Sequence, residues 1–80
     1  MLKIDGHDDA IIGPAMVRTE DGALRQVLVY DAEVIRNTLV TRDAMDFEDA
    51  REYIEFNIEG AYMGPHTPIL VWPYDEWSEE

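Results

Sequence analysis

The sequence predicts a small α+β domain: a mainly antiparallel sheet, built from a β-hairpin and a C-terminal strand, with two helices packed on one face in the order β-β-α-α-β. Three observations predict it. Two apolar runs flank an Asp-Gly turn signal, two stretches of helical periodicity each follow an aspartate placed to cap them, and a short apolar run bounded by prolines follows the second helix.

The elements follow in order. Lys3 and Ile4 offer a short initial strand, and DGHDD (Asp5 to Asp9) reads as a polar turn. AIIGPAMVR (Ala10 to Arg18) is strand-like, and Gly13-Pro14 predicts a bulge or an edge position, because proline cannot donate to a ladder. TEDG (Thr19 to Gly22) turns the chain into a second strand, ALRQVLVYD. Asp31 is placed to cap a first helix whose Ala32, Ile35 and Leu39 share one face, with Glu33 in the first turn where the helix dipole favours it. Asp46 is the expected cap of a second helix, and Asp49 three residues on resembles a capping box. That helix runs to about Glu59, with Phe47, Ala50, Ile54 and Ile58 as its core stripe, Tyr53 beside it and Gly60 as its C-cap. AYMGPHTP is then a loop, ILVW (Ile69 to Trp72) a strand rejoining the hairpin, and PYDEWSEE an acidic tail. Trp72 either completes the core or joins Tyr74 and Trp77 in an aromatic cluster suited to a protein contact.

Eighty residues fit one domain, with 1–9 and 73–80 expected to be flexible ends. The charge balance is the most informative bulk property. Eighteen Asp and Glu face six Lys and Arg, a formal net charge of -12. Such a surface repels nucleic acid and anionic membrane, so an electrostatic partner is expected to be basic or a cation. The absence of cysteine removes disulfides, zinc–thiolate sites and thiol nucleophiles. No signal peptide or membrane-spanning run is evident, which predicts a cytoplasmic protein.

The second helix carries the most specific pattern. Glu48, Glu52, Glu55 and Glu59 recur at i, i+4, i+7 and i+11, with Asp49 alongside. Each i to i+4 step climbs about 6 Å, close to the spacing of successive phosphates along a nucleic-acid strand. The row therefore matches what a phosphate mimic needs. An ordinary solvated helix face gives the same pattern, since Glu is a good helix former and Arg51 is placed to pair with Glu48 or Glu55.

Other clusters carry less chemistry. Asp5, His7, Asp8 and Asp9 offer oxygens to a hard cation, but their spacing is not that of a calcium loop and His66 is the only second imidazole, so no metal or cofactor is expected. The loop holding Tyr62, Gly64, His66 and Thr67 reads either as a connector or as a site where a nucleotide or small metabolite stacks on Tyr62 and bonds Thr67. It lacks the glycines and lysine of a phosphate cradle. The single serine, Ser78, lies in the tail outside any nucleophile motif, so the chain is expected not to be an enzyme.

Two stretches carry a resemblance. RDAMDFEDAREY resembles a D-G-M-[ST]-x-E-E-A-x-E-[FY] helix, matched at Asp43, Met45, Glu48, Ala50, Glu52 and Tyr53, with Ala44 in place of Gly and Asp46 in place of Ser or Thr. EFNIEGAYMGPHTP resembles E-F-N-[IV]-x-G-A-[YW]-x-G-x-x-T-P, matched at Glu55, Phe56, Asn57, Gly60, Ala61, Tyr62, Gly64, Thr67 and Pro68. Both patterns are similar to those of a group of small proteins met mainly in bacteriophages and prophages. The resemblance brings no activity with it. It implies a viral origin and action in the cytoplasm of an infected bacterium.

These readings converge on a small acidic phage accessory protein that acts by binding. The expected partner is a basic host protein, such as a nuclease or another nucleic-acid-binding factor, inhibited through Glu48, Asp49, Glu52, Glu55 and Glu59. The alternative is a small-ligand or nucleotide-binding module using the 61–68 loop. Either form allows a homo-oligomer, including one built on the Ile69 to Trp72 edge.

Overall fold

A computed structural model describes residues 2–59, 64 and 66–73, with Glu59 described by its backbone alone. The architecture is α+β in the order β-β-α-α-β, and no helix among the described residues is long and apolar enough to cross a membrane. Strands β1 (Ile11–Arg18) and β2 (Leu24–Asp31) form the hairpin, and β3 (Ile69–Val71) completes a three-stranded sheet with β2 at its centre. β1 runs antiparallel to β2, whereas β3 runs parallel to it, with Val29, Tyr30 and Asp31 opposite Ile69, Leu70 and Val71. A parallel return needs a long crossover, and the two helices supply it.

The Gly13-Pro14 irregularity is a bulge. The ladder shifts register between Ile11 and Gly13, on an edge strand where the missing proline N–H costs no central hydrogen bond. Thr19 to Ala23 closes the hairpin. The Gly22 N–H donates to the Thr19 carbonyl at 2.9 Å, and Gly22 takes the positive φ of 84° that the turn requires. The Thr19 hydroxyl and then the Ala23 N–H donate to the Asp21 carboxylate, holding its pKa below the usual carboxylate value.

Helix α1 (Ala32–Arg42) starts as its sequence dictates: the Asp31 carboxylate accepts from the Glu33 and Val34 amides at 2.9 and 3.4 Å. Helix α2 (Phe47–Ile54) starts differently. Asp46 occupies the cap position with extended backbone, but its side chain accepts no capping hydrogen bond, so the expected capping box does not form. Between the helices, Ala44 adopts φ 57°, and the Leu39 carbonyl accepts from both the Asp43 and Met45 amides. Ala44 thus holds a left-handed backbone, a conformation that glycine adopts without the β-carbon penalty.

One core unites these parts. Leu28 and Tyr30 of β2 meet Ile35 and Leu39 of α1, Ala50 and Ile54 of α2, and Ala10, with Leu70, Trp72 and Ile58 packed at the margin. Leu28 and Tyr30 alternate along the strand onto one face, so both helices lie on that face. Phe47 departs from the expected core stripe: it is 49% exposed. The reason is Arg36, which is buried and sets its guanidinium 4.2 Å from the Phe47 ring centroid and 5.8 Å from that of Trp72. The cation takes the place beneath Phe47, and Glu33 pairs with it at 3.5 Å.

The segment before β1 forms no strand at Lys3-Ile4. It is tied to the core instead, through the Ile4 amide donating to the Tyr30 hydroxyl at 2.8 Å and Arg42 donating to the Gly6 carbonyl at 3.1 Å. His7 is buried there, and its Nδ1 has no hydrogen-bond partner among the described residues. Burial, and then the positive charge of Arg42, lower the pKa of His7 below its ordinary 6.5.

Candidate functional site

Helix α2 buries Ala50 and Ile54 completely. At about 100° per residue, Glu48, Glu52 and Glu55 project on the side of the helix opposite that pair. All three are exposed, as is Asp49, and they line an open depression with Phe47 and Arg51. The sequence-derived row is therefore a real surface feature over these residues, on the outermost ridge of the helix.

The row's C-terminal end has different geometry. After Ile54 the helix passes into a π-helical turn (Glu55–Glu59). A π turn closes through i→i+5 bonds and is wider than an α turn. Glu59 therefore does not continue the α-helical register of Glu48, Glu52 and Glu55, and its side chain lies outside the described residues. The regular spacing read from the sequence applies to the first part of the row.

The row shares its depression with Arg51. Among the described residues the ion pair that touches it is Arg51–Glu55, at 4.0 Å and partly exposed. Arg51 also lies 4.8 Å from the Trp72 ring centroid. Arg36 is drawn inward by Phe47, Trp72 and Glu33. Arg36 and Arg51 thus both contact aromatic rings, and Arg51 pairs with the row as well.

A second depression adjoins the first on the other flank of α2. Met45, Tyr53, Phe56 and Asn57 line it together with Asp49 and Glu52, which belong to both. Phe56 is 72% exposed and Tyr53 is 42% exposed. Sequence reasoning missed this strip. Met45, Tyr53 and Phe56 are apolar in the sequence, but only the packing separates them from the core stripe.

The other expected sites are arranged as follows. Gly64 and Thr67 line an open depression with Val17, Arg18 and the hairpin turn. The Thr67 hydroxyl donates to the Gly64 carbonyl at 2.6 Å, and His66 Nδ1 lies 3.2 Å from the Gln26 carbonyl, which it reaches as a donor. The Thr67 hydroxyl and His66 Nδ1 are therefore engaged within the chain. Tyr62, the expected stacking platform, lies outside the described residues, as do Gly60, Tyr74 and Trp77. At the N-terminus His7 turns inward while Asp8 faces Lys3 at 3.8 Å, and among the described residues no three His, Asp or Glu side chains converge as a metal site.

Comparison with known protein families, characterised proteins and solved structures finds no match to this chain.

Proposed function

We propose that the chain acts by binding, and that the acidic outer face of α2 occupies the nucleic-acid-binding surface of a basic host protein inside an infected bacterium. The observation that supports this most is the outward row of Glu48, Asp49, Glu52 and Glu55, exposed together along one open depression. A merely solvated face gains from interspersed cations that pair along the helix. Here Arg51 pairs with Glu55, but Glu48 and Glu52 stand together as like charges at i, i+4, which costs a few tenths of a kcal/mol and leaves a strong local field. Within a chain of net charge -12, that field steers a cationic surface toward the helix and rejects nucleic acid itself. No reaction is needed for such a role, since the chain inhibits by occupying the surface.

The experiment is competition. A basic nucleic-acid-binding protein captured from bacterial lysate at low salt is expected to be released by duplex DNA and to lose affinity steeply as salt rises. Capture that persists in the presence of excess DNA, with affinity indifferent to salt, contradicts the proposal.

A further inference from the structure

Resting on that acidic-surface reading, we infer that the partner is held by an apolar anchor as well as by charge: the strip formed by Met45, Tyr53 and Phe56 receives a cationic amphipathic segment of the partner, whose Lys or Arg side chains reach Asp49 and Glu52. A lone exposed phenylalanine is ordinary. Here an exposed Phe56 and Tyr53 share one depression with the half-buried Met45, and the depression is bordered by two carboxylates. Aromatic anchors with a charged rim are the anatomy of an interface centre. Met45 lies before α2, Tyr53 within it and Phe56 in the π turn that follows, so the strip runs beside the length of the helix and suits a helix or extended segment laid along it.

Charge complementarity selects the occupant. Asp49 and Glu52 border the strip, and Glu48 and Glu55 lie beyond them on the ridge. A second copy of this chain would bring the same carboxylates face to face, and each copy carries a net charge of -12. A neutral apolar segment would fill the depression but leave the acids unanswered. A segment with apolar residues on one side and Lys or Arg beside them satisfies both. The two features also divide the work: the carboxylate row accelerates encounter, and the aromatic strip slows dissociation.

Two synthetic peptides test this against the full chain, each about 14 residues long, or roughly 20 Å as a helix. One is amphipathic, with Leu and Phe on one face and Lys on the other. Its control keeps every Lys and replaces Leu and Phe with Ser. The amphipathic peptide is expected to bind at least about tenfold tighter, a difference of about 1.4 kcal/mol. Phe56→Ala and Tyr53→Ala, both at exposed positions, are expected to remove that advantage while leaving the control peptide's affinity unchanged. Equal affinity for both peptides, or an amphipathic advantage that survives both variants, overturns the anchor and leaves the acidic-surface reading standing. Affinity for the lysine control that is unaffected by Glu48→Lys with Glu52→Lys overturns the acidic-surface reading itself. Absence of binding by either peptide overturns both.

Discussion

Ala44 shows how much a single backbone angle decides. A side chain with a β-carbon at φ 57° strains against the following carbonyl by about 1–2 kcal/mol, while glycine there is free of that strain but more disordered when unfolded. The balance favours Ala44→Gly, which is expected to stabilise the fold by roughly 0.5–1 kcal/mol and to raise Tm by a few degrees in thermal unfolding. Ala44→Val is expected to do the reverse. His7 makes a second residue-scale prediction. Its pKa is lowered in the folded state, so the unfolded chain binds more protons and stability rises with pH. The His7 contribution is thus intact above about pH 6.5 and is lost as pH falls from there through the depressed folded value. Chemical denaturation between neutral and mildly acidic pH is expected to show a flatter profile for His7→Gln than for the parent chain. Neither residue announces itself in the sequence. Nothing about an alanine marks a left-handed backbone, and His7 sits among aspartates that point to a polar turn, while its burial accompanies the Arg42 bond to the Gly6 carbonyl that ties the segment down.

The elements were largely legible, because local chemistry specifies them. Asp31 ends a strand and caps a helix within one residue, and Gly13-Pro14 places a bulge on an edge strand. The two aspartate caps nevertheless differ, and the difference is measurable. Asp31→Ala is expected to cost about 1 kcal/mol, since two amides lose their acceptor. Asp46→Ala, whose side chain accepts no capping bond, is expected to cost well under half of that, about 0.3 kcal/mol. Equal losses in denaturant titrations would contradict the geometry. What periodicity could not give was the width of the buried stripe on α2 or the π turn after Ile54. Phe47 fits the core face by angle, yet Arg36 and Trp72, remote in sequence, determine that it covers a cation rather than the core. The parallel sense of β3 was likewise invisible, because a short apolar run has no direction.

At the scale of the whole molecule, charge acts in two opposed ways. Self-repulsion within a chain of net charge -12 destabilises the compact state, so added salt is expected to raise Tm while it weakens capture of a basic partner. The acidic row was legible as spacing, and its exposure followed from the burial of Ala50 and Ile54 on the opposite side. The aromatic strip beside it was not separated from the core stripe in the sequence, because exposure is a tertiary property. The central claim is that location, not total charge, makes the surface. It is tested most directly by the affinity of a captured basic partner for two variants that change net charge equally: Glu48→Lys with Glu52→Lys on α2, and Asp5→Lys with Asp8→Lys on the exposed N-terminal segment. The expected result is that the first pair abolishes binding and the second weakens it only modestly. Equal losses from both pairs, or binding that survives the first, would contradict the account.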